Sequence, residues 1–254
     1  MPEKIFKCVV SYDGSEFSGW QKQKSVRTVQ GTIEYALYKY FGFPVKIYGA
    51  GRTDAGVHAF GQVFNFSAET RLNGRNLLAI MNDMLPPDIR VIDVSEAGAK
   101  FSARHGVRKK FYRYVIYNSP VFYPFYSGKC WHVAERINTK RLKESFFYFN
   151  GEKDYFSFSS SGSNPGSYTR EIEKIKMSKT GRFITIDFFG KGFLYNMIRK
   201  TVYIMACYAL EKITGKEIEG IFAGRDRSLI KSMAPAGGLY LVKIIYEKKP
   251  AKRS

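Results

Sequence analysis

Residues 49–58 have the sequence GAGRTDAGVH, and a strand is predicted on each side of them. Three glycines among eight residues let the backbone bend sharply and approach another group closely. Val45–Tyr48 is strand-like, and a second strand is expected from Gly61 onward. The segment is therefore predicted to be a loop held between two strands, which is where site residues commonly lie.

Arg52 and Asp54 lie two residues apart in this loop. A cation there suits a phosphate, and a carboxylate suits acid–base or nucleophilic chemistry. An aspartate in a glycine-rich loop also commonly serves only as a turn or helix-cap residue. The pattern alone leaves both interpretations open, but it excludes a glycine-rich phosphate loop, because the glycine spacing differs and no helix clearly follows.

Segments rich in β-branched and aromatic residues alternate with segments of helical periodicity. The predicted strands are Ile5–Tyr12, Gln62–Phe66, Phe111–Tyr117, Phe183–Phe188 and Leu239–Tyr246. The predicted helices are one capped by Thr28, one over Asn73–Asn82, one capped by Asn138 or Thr139, and one from about Phe193 to Ile213 that ends at Gly215.

This mixture predicts an α+β fold with two similar-sized halves, in which largely antiparallel sheets are flanked by helices. The predicted halves are residues 1–104 and 105–247, and a basic tail follows over residues 248–254. Ser157–Ser167 is rich in serine and glycine and is predicted to be a mobile loop. The order of the elements does not determine which strands pair.

The charge and the aromatic content of the chain favour a nucleic-acid partner. The 254 residues include 41 Lys and Arg against 22 Asp and Glu, a formal net charge of +19, together with 21 Phe, 18 Tyr and 2 Trp. Cations and flat rings together suit a surface that binds phosphates and stacks on bases, although a basic and merely soluble protein is the simpler alternative.

The cysteine and histidine content argues against disulfides and zinc. Cys8, Cys130 and Cys207 are too few and too widely spaced for a disulfide framework, which favours a reducing, cytoplasmic compartment. Three histidines without a paired-cysteine motif make a zinc site unexpected. The N-terminus does not resemble a signal peptide, and the longest apolar stretch, near Val202–Leu210, is too short to span a membrane. We therefore expect neither a metal nor a membrane partner.

Six segments of the chain, in order, resemble the tRNA pseudouridine synthase A family. They are YDG at 12–14 with Phe17, GWQ at 19–21 and TVQ at 28–30; GAGRTDAGVHAFGQVFNF at 49–66; LPPDI at 85–89 with FSAR at 101–104; YRY at 112–114; NMIR at 196–199; and AGGLYL at 236–241. The resemblance covers nearly the whole chain, and GRTDAGVH is highly specific by itself.

The resemblance implies that the protein isomerises uridine to pseudouridine in tRNA without a metal or other cofactor. The N-glycosidic bond breaks, the uracil turns, and the base rejoins the ribose through C5. The essential aspartate of the family corresponds to Asp54, which either attacks C1′ or removes a proton from C2′. Arg199 corresponds to the arginine that pairs with this aspartate, and Tyr112 corresponds to the tyrosine that contacts uracil.

The residues alone leave alternatives for both partners. Arg199 could instead end a buried helical stripe and point to water, although the neighbouring Lys200 is better suited to that position. Tyr112 could be one of several core tyrosines in an aromatic strand, because the sequence pattern does not distinguish among them. The resemblance favours the functional interpretation in both cases.

The remaining site residues are also implied by the resemblance. Arg52 corresponds to a loop arginine assigned to RNA binding and to displacing the target base, whose extrusion costs a few kcal/mol. Leu239 is expected to pack against the uracil, as a similar apolar residue does in related synthases. His58 is expected to be structural. The basic run over residues 104–110 either meets phosphate or forms a solvated face.

The resemblance further implies a homodimer that acts on uridines 38, 39 and 40 in the anticodon stem-loop of tRNA. Two alternatives are a homologous synthase with other target uridines and a catalytically silent RNA-binding protein of the same fold. A silent binder would need none of Asp54, Tyr112 and Arg199, so the presence of all three favours the enzyme.

Overall fold

The computed structural model describes residues 3–162 and 165–247. Its helices are α1 (Val29–Phe41), α2 (Gly74–Met84), α3 (Thr139–Glu144), α4 (Phe146–Phe149), α5 (Met197–Ala209) and α6 (Gly215–Gly224). Its strands are β1 (Glu3–Tyr12), β2 (Tyr48–Gly49), β3 (His58–Glu69), β4 (Ile89–Ala97), β5 (Val107–Asn118), β6 (Trp131–Val133), β7 (Gly151–Asp154), β8 (Thr169–Ile172), β9 (Lys174–Thr180), β10 (Phe183–Gly190) and β11 (Leu239–Tyr246). The basic tail predicted at 248–254 lies outside the described residues, as do residues 163 and 164 of the predicted mobile loop.

The contacts within the chain define two units. The first contains the described residues of Met1–Lys110 and Leu241–Ser254, and the second contains those of Phe111–Tyr240. Both units mix strands with helices, and their strands pair mostly antiparallel. The α+β prediction with largely antiparallel sheets is therefore confirmed, whereas the residue limits proposed for the two halves stay a prediction.

In the first unit, β1 lies between β3 and β4 and pairs antiparallel with both. β11 lies beside β3, and the short β2 also pairs with β3. Alternate residues of β1, Phe6, Cys8 and Val10, are fully buried, and the Phe6 ring lies 5.4 Å from that of Phe66. These strands contribute the apolar core of the first unit, and the loop between β2 and β3 is connected to them.

α1 begins after its predicted cap Thr28, whereas α2 begins at Gly74, one residue after the predicted start at Asn73. The Thr28 side chain accepts a hydrogen bond from the Gly31 N–H at the start of α1, and the Asn73 side chain accepts one from the Asn76 N–H at the start of α2. These caps satisfy backbone donors that a helix leaves unpaired in its first turn. Local sequence therefore determines both starting points.

The strand prediction around the loop was partly wrong. Only Tyr48–Gly49 pairs with β3, so most of Val45–Tyr48 is not a strand, although Val45 and Ile47 are buried. The alternation of apolar residues reflected burial and not sheet pairing. β3 begins at His58 and not at Gly61, so the strand directly follows the loop.

In the second unit, β10 lies between β5 and β9 and pairs antiparallel with β9. β6 pairs parallel with β5, while β7 and β8 form a separate antiparallel pair. Along β5, Tyr112, Tyr114 and Ile116 are buried in alternation, as predicted for residues that share one face.

The helix predicted from Phe193 to Ile213 is shorter at both ends. α5 begins only after Asn196, which has the left-handed backbone conformation (φ 60°), and the helix is over before Glu211, whose φ is also 60°. A residue in this conformation interrupts a right-handed helix, and asparagine tolerates it better than most other residues. Sequence periodicity did not reveal either interruption.

Two further helix boundaries correct the sequence prediction. Gly215 begins α6 and does not end the preceding helix, because Thr214 caps α6 in a reciprocal arrangement with Glu217. Asn138 caps a helix as expected, but the predicted helix divides into α3 and α4 at Ser145.

Candidate active site

The Asp54 loop, residues 50–57, is held to its surroundings by backbone hydrogen bonds. The Ala50 N–H donates to the Val63 carbonyl (2.8 Å), and the Trp20 N–H donates to the Thr53 carbonyl (3.0 Å). The Val57 N–H donates to the Asp54 carbonyl (3.1 Å) and closes a turn around the aspartate. Beyond Asp54 the Gly56 N–H donates to the Phe17 carbonyl (3.2 Å), so the loop is anchored on both sides of the aspartate and within its own turn.

Gly19 allows the segment after β1 to approach this loop. Its φ of +88° is in the region that favours glycine, and a Cβ atom at this position would lie 2.8 Å from the Thr53 carbonyl oxygen. A larger residue would therefore be strained and would also push the loop away. The adjacent bond from Trp20 to Thr53 depends on this close approach.

Two buried polar side chains, Tyr12 and Gln62, form hydrogen bonds with the loop. The Tyr12 hydroxyl and the Thr53 Oγ1 are 2.8 Å apart, and the Gln62 Nε2 donates to the Gly51 carbonyl (3.1 Å). Burial raises the pKa of Tyr12, and the charge of Asp54 acts in the same direction. Tyr12 consequently stays neutral at physiological pH and adds no second negative charge beside Asp54.

His58 follows the loop and is buried. Its Nδ1 accepts a hydrogen bond from the Gly14 N–H (3.0 Å), which links the start of β3 to the turn after β1. The same nitrogen lies 3.1 Å from the Asp13 Oδ1, and the structural role expected for His58 stays a prediction.

Arg52 and Asp54 differ in exposure. Arg52 is exposed, Asp54 is half-buried, and Thr53 between them is buried. The loop thus turns one side chain inward while it presents a guanidinium to solvent. This arrangement suits a cation that meets a large anionic ligand and a carboxylate that meets one part of it.

Tyr112 lies on β5 in the second unit and is 8% exposed. Its ring packs edge-on against Phe193, with the centroids 5.4 Å apart. The neighbouring candidate Tyr114 donates its hydroxyl to the Pro235 carbonyl (2.7 Å). The Tyr114 side chain is therefore part of the core. The sequence pattern did not distinguish Tyr114 from Tyr112.

Arg199 is the third residue of α5, and its guanidinium is held in a fixed orientation. The Nε donates to the Ala234 carbonyl (2.9 Å), and the Nη1 donates to the Asn196 Oδ1 (3.0 Å). Two hydrogen bonds from a planar group define its position more tightly than one would. The side chain is half-buried and does not simply extend into water.

Of Arg199 and Lys200, Lys200 was expected to be the residue that points to water. That expectation is wrong. Lys200 is 7% exposed, and its Nζ donates to the carbonyls of Ser157 and Ser159 (3.3 and 2.9 Å). Burial, together with the charge of Arg227, lowers the pKa of Lys200. The helical pattern missed this because the two carbonyls that receive the ammonium come from a distant part of the sequence.

Leu239 is 6% exposed at the start of β11, directly after a short 3-10 turn over Ala236–Gly238. The predicted site residues are thus divided between the units. The first unit contains Arg52 and Asp54, and the second contains Tyr112, Arg199 and Leu239.

Asn196, near the predicted site, was assigned no role from the sequence, and Lys110 was treated only as part of the basic run over residues 104–110. Asn196 orients Arg199 through its Oδ1, while its Nδ2 donates to the Ser160 Oγ (3.0 Å). Lys110 donates from its Nζ to the Ala50 carbonyl (3.2 Å) at the start of the Asp54 loop. Strand alternation could have singled out Lys110, because successive side chains of a strand lie on opposite faces of the sheet and Lys109 therefore lies on the other face.

Within residues 3–162 and 165–247, no group of three or more histidine, cysteine, aspartate or glutamate side chains is arranged to hold a metal ion. No helix in the same described ranges is long and apolar enough to cross a membrane.

Comparison with known proteins identifies the family. A family model described as tRNA pseudouridine synthase matches residues 8–105 and 146–247. The chain is 38% identical over 238 residues to tRNA pseudouridine synthase A of Thermoanaerobacter sp. (strain X514), with 94% of this chain and 98% of the relative covered. It is also 38% identical over 241 residues to tRNA pseudouridine synthase A of Ruminiclostridium cellulolyticum, with the same coverage of 94% and 98%.

A third relative, tRNA pseudouridine synthase A of Oceanobacillus iheyensis, is 38% identical over 245 residues, with 95% of this chain and 96% of the relative covered. The chain therefore belongs to the tRNA pseudouridine synthase family, a family of isomerases. Asp54 and Arg199 lie inside the matched ranges, whereas Tyr112 lies between them.

The hydrogen bond between Tyr12 and Thr53 can be tested with a double-mutant cycle. Tyr12→Phe and Thr53→Val should each lower the free energy of unfolding by about 1–3 kcal/mol, because each leaves a buried polar partner without its bond. The double variant should lose less than the sum, with a coupling energy above ~0.5 kcal/mol. Urea unfolding followed by tryptophan fluorescence measures these energies.

Tyr35→Phe is the matched control, since Tyr35 is 62% exposed. Its free energy of unfolding should stay within about 0.5 kcal/mol of the unmodified protein. Strictly additive losses from Tyr12→Phe and Thr53→Val would show that the two hydroxyls do not support each other beneath the loop.

Proposed function

We propose that this protein converts uridines 38, 39 and 40 of the tRNA anticodon stem-loop to pseudouridine. Membership of the tRNA pseudouridine synthase family supports the reaction. The net charge of +19 supports an RNA substrate whose phosphates supply much of the binding free energy. Neighbouring uridines in different sequence contexts require recognition of shape and backbone more than of base edges, and a strongly basic surface suits that mode of recognition.

Asp54 is the proposed catalytic residue, and the observation that carries this assignment is its half-buried place on a loop anchored by backbone bonds. The bond between N1 and C1′ breaks, and a bond between C5 and C1′ forms. C5 loses a proton and N1 gains one, so the composition of the nucleoside does not change. Asp54 acts at the ribose while the uracil turns, either on C1′ as a nucleophile or on the C2′ proton as a base.

Asp54 is proposed to act in its charged form. Either role requires the carboxylate, which burial opposes unless the local charges compensate. The neighbouring Tyr12 stays neutral, and the loop is already fixed before substrate binds. A group held in its working geometry avoids part of the entropic cost of the reaction.

The other site residues are proposed to bind substrate. The exposed Arg52 replaces contacts that the target nucleotide loses when it leaves its stack. Tyr112 presents a flat ring to the uracil, and Leu239 packs against the base. Arg199, oriented by Ala234 and Asn196, supplies the cation that the family pattern pairs with the aspartate.

We further propose that the protein works as a homodimer in the cytoplasm, as the family resemblance implies. Light scattering at the concentration used for the assays should give about twice the 29.1 kDa mass of one chain. A monomeric mass at that concentration, with full activity, would contradict the dimer.

Mapping the product tests the proposed function directly. Unmodified tRNA transcripts with uridine at positions 38, 39 or 40 are incubated with the protein in the presence of EDTA. Carbodiimide modification followed by primer extension should show pseudouridine at those positions, because the proposed chemistry uses no metal. Product only at other uridines would redirect the assignment to a homologous specificity, and no product from folded protein would favour a silent RNA-binding protein.

Replacement of the proposed catalytic carboxylate tests its role. Asp54→Asn should lower the rate of pseudouridine formation by about a thousandfold or more, because the amide can neither attack C1′ effectively nor accept the proton. Binding of tRNA should change little. Single-turnover kinetics and filter binding measure the two quantities separately.

Asp93→Asn is the matched control, because Asp93 is an exposed aspartate of the same unit. It should retain the full rate. Turnover by Asp54→Asn at a rate near that of the control would reject Asp54 as the catalytic residue.

A further inference from the structure

Lys110 lies against the start of the Asp54 loop in the first unit. Its Nζ donates to the Ala50 carbonyl (3.2 Å), and a Cβ atom built on Gly51 would lie 2.7 Å from the same nitrogen. The Gly51 carbonyl on the other side accepts from Gln62. The ammonium is therefore held beside Ala50, which precedes Arg52 by two residues and Asp54 by four.

The surroundings of Lys110 are poor in negative charge. An ammonium has three donors, and in the described part of the chain the bond to Ala50 is the hydrogen bond that Lys110 makes. The charged group that acts on it is the guanidinium of Arg104, which is also positive. Burial and this neighbour together lower the pKa of Lys110, whereas a bound anion would favour the charged ammonium and so raise that pKa.

Arg104 is carried by an anchored segment. The preceding Ala103 N–H donates to the Asn65 Oδ1 (2.8 Å), and the Ala103 carbonyl accepts from the Tyr246 hydroxyl (2.7 Å). The side chain of Arg104 itself is exposed. An exposed guanidinium that acts electrostatically on a half-buried ammonium suits a ligand that arrives from solvent with a negative charge.

We propose that Lys110 and Arg104 form an anion site that holds a phosphodiester of the RNA beside the Asp54 loop. The identity of the ligand rests on the proposed tRNA function, and the site deepens that function by assigning a backbone contact close to the target nucleotide. A phosphodiester fits because its two non-bridging oxygens, which share one negative charge, can each accept from one of the two cations. A bound phosphate next to the loop would set the position of the adjoining ribose relative to Asp54.

The salt dependence of tRNA binding tests the cation. Lys110→Met should reduce the magnitude of the slope of log affinity against log salt by about 0.7–0.9, the value for one phosphate contact, and should weaken binding about tenfold. Lys110→Arg should keep most of the slope. Lys39→Met removes one exposed charge from α1 of the same unit and should leave the slope unchanged. Equal changes in Lys110→Met and Lys39→Met would overturn the proposal.

Replacement of single phosphates in the tRNA identifies which phosphate Lys110 binds. It also distinguishes phosphate binding by Lys110 from a purely structural role in supporting the Asp54 loop. Full-length tRNAs are assembled with a single neutral methylphosphonate at each linkage from 37 to 41. At one linkage the replacement should weaken tRNA binding to the unmodified protein about tenfold. At that linkage it should not weaken tRNA binding to Lys110→Met any further. At the other linkages both proteins should lose affinity equally. Full additivity at every linkage would overturn the proposal.

A competition arm distinguishes the phosphodiester from free phosphate. At constant ionic strength, inorganic phosphate should not displace tRNA from the unmodified protein more than from Lys110→Met. Preferential displacement without any methylphosphonate coupling would assign the site to free phosphate and contradict an RNA contact. The salt-slope arm needs no turnover, so it remains informative if the mapping of pseudouridine fails.

Discussion

The N–H of Trp20 and the carbonyl of Thr53 join the segment after β1 to the loop that carries Asp54. This backbone bond requires the glycine at position 19, whose positive φ and missing side chain permit the approach. Because backbone bonds do not depend on rotamers, the loop is defined before any ligand binds. The position of the carboxylate is thus a consequence of main-chain geometry, and the side chains around it adjust its chemistry.

The electrostatics of the first unit follow from that geometry. Below the loop, Tyr12 and Thr53 share a hydrogen bond, and burial keeps the phenol neutral. Beside the loop, Lys110 makes one bond to Ala50 and has Arg104 as its charged neighbour. The loop that carries Asp54 thus has a half-buried ammonium beside its first residue, which suits the anionic backbone of the proposed RNA substrate.

Local signals in the sequence predicted much of the fold. Thr28 and Asn73 cap their helices because capping depends on residues within one turn, and β11 has the bounds that its alternating apolar residues predicted. The interruptions at Asn196 and Glu211 were missed, because the left-handed conformation depends on the packing around each residue. The return of β11 to β3 was also unpredictable, since strand pairing is not local in sequence.

The candidate site shows the same division. The family resemblance and the loop pattern selected Asp54 and Arg52, but neither revealed that Thr53 is held by residues more than thirty positions earlier. Lys200 was misplaced because an ammonium can be buried when distant carbonyls receive it. Arg199 was expected as a cation, while the roles of Asn196 and Ala234 in orienting it required coordinates.

The role of Asp54 can be decided by a structure of the protein bound to tRNA whose target uridine has not yet been isomerised. The measured quantity is the distance from the Asp54 carboxylate oxygens to C1′ and C2′ of the target ribose. We expect an everted nucleotide with a carboxylate oxygen within about 3.5 Å of one of these carbons. A target uridine that stays stacked in the stem, with Asp54 facing bulk water, would contradict this expectation.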